Sequence, residues 1–349
     1  MNLMVIHMKI NKIYLLLVCT IFSCNNPKYE SSTYFQTKEK LEAEYIKLST
    51  IVSPTFFMIQ ANYLCIYSLQ KDTIIDMFSL PDLYHVKSFG TKGRGPGEFL
   101  YFPWPCKSTK DGFYVRGYTP LIIRRFLIDP SINLIQVDEF KLKEYESFGS
   151  MHIVQDSLLI YLSMGNQNVR GDQISINKYN LYQEQETGKI LIPTISPENA
   201  SIDPNRAGGF DANDSVIVYA YLFKKQIDIY NIHTMELINR LTFNTKNSNS
   251  IDKNFEENIL QYAGVIAGEK YFFALYNKGG LKINELQPAS RTIEVFDYSG
   301  NAIAEYSFDD HISLFAIDEK NHILYVYDVT NEDYILKYVL PKATAISTK

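Results

Sequence analysis

Six times along this chain a polar pair of residues leads into a short run of aromatic and aliphatic ones. Ala61-Asn62 precedes Tyr63-Leu64-Cys65-Ile66-Tyr67, and Asp111-Gly112 precedes Phe113-Tyr114-Val115. Gln155-Asp156 precedes Leu158-Leu159-Ile160-Tyr161, and Asn213-Asp214 precedes Val216-Ile217-Val218-Tyr219. Gly268-Glu269 precedes Tyr271-Phe272-Phe273-Ala274, and Lys320-Asn321 precedes Ile323-Leu324-Tyr325-Val326-Tyr327. The second residues of these pairs, Asn62, Gly112, Asp156, Asp214, Glu269 and Asn321, are separated by steps of 50, 44, 58, 55 and 52 residues. A unit of that length cannot bury its apolar face alone and has to stack on its neighbours. The chain has 26 Tyr and 21 Phe against 17 Gly and shows no long helical period, so the units are built of strands.

Within each unit a second apolar segment follows, often alternating with polar residues, as in Gln226-Ile227-Asp228-Ile229-Tyr230, Thr292-Ile293-Glu294-Val295-Phe296 and Tyr334-Ile335-Leu336-Lys337-Tyr338. Another strand comes after it, as in Leu237-Ile238-Asn239-Arg240-Leu241 and Ala302-Ile303-Ala304-Glu305-Tyr306. Six units of four antiparallel strands imply an all-β, six-bladed β-propeller, a ring that leaves few exposed sheet edges. The sixth unit ends at Leu340 after its third strand, so something else completes it. The alternating Tyr45-Ile46-Lys47-Leu48 is the available piece, giving a propeller closed by an N-terminal strand. The charged stretch 38–44 before it reads as a short helix or as the approach to that strand.

The N-terminus reads as an address. Lys9 and Lys12 precede an apolar run over 13–22, too short to span a bilayer and of the size of a signal core. Ser23-Cys24 ends it, and a small residue before cysteine followed by Asn25-Asn26-Pro27 resembles a bacterial lipoprotein signal. The expected organisation is a signal over 1–23, lipid attachment at Cys24, a tether over 24–32 and the propeller over 33–349. Net charge is −5, and −7 once Lys9 and Lys12 are removed, which argues against a nucleic-acid partner.

One stretch carries a family likeness. Phe89-Gly90-Thr91-Lys92-Gly93-Arg94-Gly95-Pro96-Gly97-Glu98-Phe99, then Pro103 and Asp111-Gly112-Phe113-Tyr114-Val115, resembles the repeat of six-bladed propellers of the NHL and TolB-like kind, including lipoproteins of Bacteroidetes-type bacteria. The likeness covers 89–115. The family repeat usually continues with an aspartate where this chain has Arg116-Gly117. It implies the fold and a general role in binding ligands or partners, since the family shares no common chemistry.

Candidate chemistry is sparse. Lys92 and Arg94 among the amides of the glycine loop could hold an anion, but the loop lacks a P-loop ending and suits an interblade turn. Trp104, the only tryptophan, is held between Pro103 and Pro105, placed either to stack on a sugar or apolar partner or to pack between blades. His85, His152, His233, His311 and His322 lack metal spacing, and no nucleophile elbow is present. Asp211, Asn213, Asp214 and Asn277 form a conceivable calcium set, although Asn213-Asp214 already serves as a turn. Cys65 and Cys106 are either bridged or buried as thiols. Residues 192–209 form the longest irregular stretch, and 252–262 can form a short helix with Phe255, Ile259 and Tyr262 on one face.

These readings favour a lipid-anchored envelope protein whose propeller binds a small ligand, a glycan or a protein partner, with no cofactor, no metal and no catalysis. The alternatives are a calcium-dependent lactonase or esterase with a tunnel site, and a structural subunit of an envelope complex.

Overall fold

The computed structural model describes residues 35–48, 53–60, 62–93, 95, 98–108, 112–117, 122–142, 148–163, 174–192, 208–243, 258–282 and 291–341, all within the compact unit Ser31–Lys349. Every regular element among them is a β-strand. β1 (Thr37–Lys40) and β2 (Glu44–Lys47) come first. Blade 1 is β3 (Pro54–Gln60), β4 (Tyr63–Ser68), β5 (Thr73–Ser79) and β6 (His85–Thr91). Blade 2 is β7 (Trp104–Ser108), β8 (Phe113–Arg116), β9 (Ile122–Ile128) and β10 (Leu134–Lys141). Blade 3 is β11 (Phe148–Val154), β12 (Leu158–Ser163), β13 (Ser175–Asn180) and β14 (Gln185–Leu191), and blade 4 is β15 (Gly208–Ala212), β16 (Val216–Tyr221), β17 (Gln226–Asn231) and β18 (Leu237–Thr242). Blade 5 is β19 (Ile259–Ala267), β20 (Tyr271–Lys282), β21 (Arg291–Asp297) and β22 (Ala302–Ser307). Blade 6 has only β23 (Leu314–Asp318), β24 (Ile323–Tyr327) and β25 (Tyr334–Val339) from its own repeat.

The six polar turns sit where the repeat places them, between the first and second strand of each blade. Their chemistry is visible in the backbone, since Asn62, Gln155, Asp156 and His322 all adopt positive φ, from 52° to 65°. Asparagine, aspartate and their like tolerate that region, which β-branched residues avoid.

Ring closure follows from the packing. β3 lies against β23 and β7, β11 against β7 and β15, and β15 against β19. Six apolar clusters fill the spaces between successive blades, one to each junction. Their largest members, such as Tyr67, Tyr219, Tyr262, Phe272 and Tyr338, are all less than 2% exposed. Each such side chain contributes about 1.5–3 kcal/mol by leaving water.

The missing strand of blade 6 is β2, antiparallel to β25 with Tyr45 opposite Leu336 and Ile46 opposite Ile335. The closing strand is therefore the one its alternation indicated. β1 was not anticipated as a partner of blade 5, yet it runs parallel to β22 with Thr37 opposite Ala304 and makes that sheet five-stranded. Its own residues are polar, and it is pinned by apolar ones on either side. Phe35 packs on Phe296 with ring centroids 5.5 Å apart, and Leu41 is buried at the junction of blades 5 and 6.

One expectation is corrected. Ile259 and Tyr262 belong to strand β19 rather than to a helix; residues 252–257 of that stretch lie outside the described residues. The register of β19 on β20 shifts twice, between Leu260 and Tyr262 and again between Tyr262 and Gly264. Such irregularities break the two-residue period of a strand and mimic helical spacing in the sequence. Most of the irregular stretch 192–209, residues 193–207, also lies outside the described residues.

Candidate functional site

The first strand of each blade faces the axis, and all six, β3, β7, β11, β15, β19 and β23, line one cavity of about 740 Å³. Its wall is mostly apolar, with Phe56, Met58, Trp104, Phe210, Val265 and Phe315 around it. Two glycines on neighbouring strands shape it. A Cβ on Gly209 would stand 3.1 Å from the Gly264 Cα, so β15 and β19 approach too closely for a side chain there. A Cβ on Gly264 would meet only the Phe315 ring, at 3.5 Å, which leaves open space in front of it.

At one end, Trp104 lies 4.7 Å from the Phe56 ring in an edge arrangement, and the Arg116 guanidinium sits 5.4 Å from the Trp104 ring centroid. That spacing is attractive for a cation over an indole. Toward the other end, at the C-terminal ends of the inner strands, lies a group of charges. Lys107 Nζ ion-pairs with Asp211 Oδ2 and donates a hydrogen bond to the Ala267 carbonyl at 2.9 Å. Blade 2 and blade 5 are three places apart in a ring of six, so Lys107 spans the channel from one wall to the other.

Asp211 is surrounded by donors. Its Oδ1 accepts from the Ala212 amide at 2.7 Å and lies 2.9 Å from His152 Nδ1. Its Oδ2 accepts from the Ala267 amide at 2.9 Å as well as from Lys107. Burial by itself would push this carboxyl up, but Lys107 and His152 outweigh it and hold the group down at about 2. Asp211 is therefore ionised at neutral pH. His152 is 8% exposed, its ring stands edge-on to Phe210 at 4.6 Å, and although Nδ1 lies close to Asp211 Oδ1, neither ring nitrogen makes a well-aligned hydrogen bond among the described residues.

Of the residues singled out by sequence, the structure places Trp104 in the cavity wall. Lys92 lies outside that wall, and its amine donates to the Leu69 carbonyl at 2.9 Å. Arg94 and Cys24 lie outside the described residues. The glycine loop joins β6 to β7 as a turn closed on itself. The Gly95 amide donates to Glu98 Oε2 at 2.6 Å, the Gly93 amide to the Phe99 carbonyl at 3.1 Å, and Phe99 is buried among blades 1 and 2. Those two amides are thus spent within the loop rather than held open for an anion.

The conceivable calcium set is not assembled. Asp211 is committed to Lys107, Asn213 Nδ2 bonds the Gly268 carbonyl and Tyr298, and Asn277 Oδ1 accepts from Arg291. Among the described residues no group of three or more His, Cys, Asp or Glu side chains is arranged to hold a metal. Cys65 and Cys106 are free thiols, both fully buried.

Sequence reasoning named Asp211 only as a conceivable calcium ligand and His152 only as a scattered histidine, and it missed Lys107 and the meeting of the three, because they stand on three different blades. One signal marks them: each lies on a first strand, two to four residues before the polar turn of its repeat.

The family described as TolB-like 6-blade propeller-like matches residues 33–320. A Bacteroides fragilis protein described as exported superposes with a TM-score of 0.57 at 13% identity, covering 88% of this chain and 97% of that one. A member of the DUF4221 family from Bacteroides vulgatus gives 0.52 at 12% identity, covering 86% and 98%. No curated protein matches the sequence.

Proposed function

The chain belongs to the TolB-like six-bladed propeller family, and from that premise we propose that it is an exported, lipid-anchored cell-envelope protein that binds a small apolar ligand in its axial cavity without turning it over. The observation that carries the reading is the cavity itself, about 740 Å³ with a wall drawn from all six blades. That volume falls within the range of small-molecule sites, and its apolar wall with few polar groups matches their usual chemistry. A glycan would bring hydroxyls on nearly every ring carbon, and most would be left unpaired against Phe56, Met58, Phe210 and Phe315. The address rests on Lys9, Lys12, the apolar run and Ser23-Cys24, with 24–32 as the tether between membrane and fold. Likeness to an exported Bacteroides protein accords with it.

Two measurements test the proposal. In its host the protein takes up a radioactive fatty acid and partitions with membranes, and Cys24→Ala abolishes both; label retained by that variant sinks the anchor. Protein purified natively retains a small apolar molecule, detected by native mass spectrometry. Gly264→Leu, which fills the cavity at an open position, expels it. Equal retention by this folded variant would place the ligand elsewhere.

A further inference from the structure

We propose that the ligand presents a neutral carbonyl oxygen to Lys107 Nζ, as an apolar ketone, ester or amide would. The inference rests on the cavity being the binding site and deepens that reading by counting donors against acceptors at its charged end. Lys107 lies in the cavity wall with its side chain 23% exposed. Paired with the ionised Asp211 it is an ammonium, which carries three N–H donors and no lone pair. Among the described residues two of the three donors are used, on Asp211 Oδ2 and on the Ala267 carbonyl.

The acceptors around the third are already occupied. Asp211 Oδ2 also takes the Ala267 amide, and Oδ1 takes the Ala212 amide beside His152. The Gly268 carbonyl accepts from Asn213 Nδ2 at 2.7 Å and from the Tyr298 hydroxyl at 2.7 Å. Glu319, at the wall of blade 6, accepts from the Glu269 and Lys270 amides, the latter at 3.2 Å. A donor left unpaired against an apolar wall carries a desolvation cost that a ligand oxygen relieves. His152 does not alter this count, because an ammonium donates whichever form the neighbouring imidazole takes. The supply of donors also sets the kind of oxygen. One N–H satisfies a carbonyl, whereas a carboxylate, with about four lone-pair sites, would be left largely bare beside Phe210 and Phe315. A group offering only donors would meet an ammonium hydrogen and gain nothing. Beyond the carbonyl the ligand meets Phe56, Trp104, Phe210 and Phe315, which suit flat rings by offset or edge stacking.

Four probes built on one tricyclic frame test this. Fluorenone carries a carbonyl, fluorene no polar group, carbazole a donor N–H, and fluorene-2-carboxylate a charge. Equilibrium dialysis against the mature chain made without its signal gives each affinity. Fluorenone binds about tenfold tighter than fluorene, the effect of one hydrogen bond from a charged donor. Lys107→Met brings the two together and leaves fluorene's affinity as it was, whereas His152→Leu keeps the preference. If Lys107→Met does not fold, the native ratio and the His152→Leu result decide. Equal binding of fluorenone and fluorene, tightest binding of carbazole or of the carboxylate, or loss of the preference in folded His152→Leu overturns the inference and leaves the cavity reading standing. Failure of all four probes to bind overturns both.

Discussion

Replacing Asp211 by asparagine probes the charge group at the centre of the ring. The native carboxyl is held at about 2 against an ordinary value of 3.8, and its side chain is 4% exposed, so solvent screens it little. At about 1.36 kcal/mol per pH unit, that difference amounts to about 2 kcal/mol of stability at neutral pH. Because the folded value is depressed, this contribution is present in full above the ordinary carboxylate range and is lost as pH falls through about 2. Removing the charge also strands Lys107, and breaking one side of a buried pair costs about 3–5 kcal/mol. Asp211→Asn is therefore expected to lower the unfolding free energy by about 3–5 kcal/mol at pH 7. The gap to the native chain narrows by about 1 kcal/mol at pH 3 and by about 2 kcal/mol at pH 2. Urea unfolding followed by Trp104 fluorescence and circular dichroism measures the gap at each pH, and subtraction removes the other carboxylates. Adding Lys107→Met to the variant costs little more, because the pair is already broken. A gap below about 1 kcal/mol at pH 7, or one that stays constant down to pH 2, refutes the reasoning.

Three further outcomes follow from the fold. Deleting residues through Leu48 removes β1 and β2 and exposes the β22 and β25 edges. The loss of buried Phe35 and Leu41 alone costs about 3–6 kcal/mol, while deletion through Glu30 leaves the melting temperature unchanged; equal melting temperatures for the two would remove the closing strand from the account. Burial pushes the Cys106 thiol up to about 12 and the Cys65 thiol higher still, so a thiol reagent modifies neither until the protein unfolds, and rapid modification of the native state contradicts their placement. Gly209→Val drives a side chain into the Gly264 backbone and destabilises by about 1–3 kcal/mol, an effect absent if β15 and β19 are not in close approach.

What the sequence disclosed was mainly local chemistry. The six polar turns were legible because Asn62, Asp156 and their counterparts solve a backbone problem within two residues. The closing strand was legible because a blade with three strands needs a fourth, and residues 45–48 alternate. β1 was not, since Thr37–Lys40 carries no apolar alternation and is held by Phe35 and Leu41 outside it. In the cavity, Trp104 could be singled out as an aromatic on a stiff segment. The charge group could not, because Lys107, His152 and Asp211 meet only after three blades have been set side by side.

A second set of polar residues shows how to separate positioning from function in such a ring. The third strands of the six blades place Asp76, Arg125, Asn177, Asp228, Glu294 and Lys337 on the same rung, opposite Ile66, Tyr114, Tyr161, Tyr219, Ala274 and Tyr325 of the second strands. Asp76, Asn177, Asp228 and Glu294 are wholly buried. The five charged members have partners close by: Asp228 takes Arg240 Nε at 2.7 Å and the Tyr221 hydroxyl at 2.8 Å, and Glu294 takes Lys225 at 2.8 Å. Alternation such as Ile-Asp-Ile-Tyr suggests a strand with one wet face, yet here the polar face is enclosed. A slip of one residue would carry each charge to the opposite face of its strand, at a cost of several kcal/mol, so these residues fix strand register. Their partners come from the same blade, from a neighbouring one, or from β2, and none of the six lines the cavity. Lys107, Arg116, His152 and Asp211 do line it, and Lys107 and Asp211 join across the axis. In this propeller a buried charge on a third strand therefore fixes register within and between blades, whereas Lys107 and Asp211 on first strands face the axial cavity and join two blades across it.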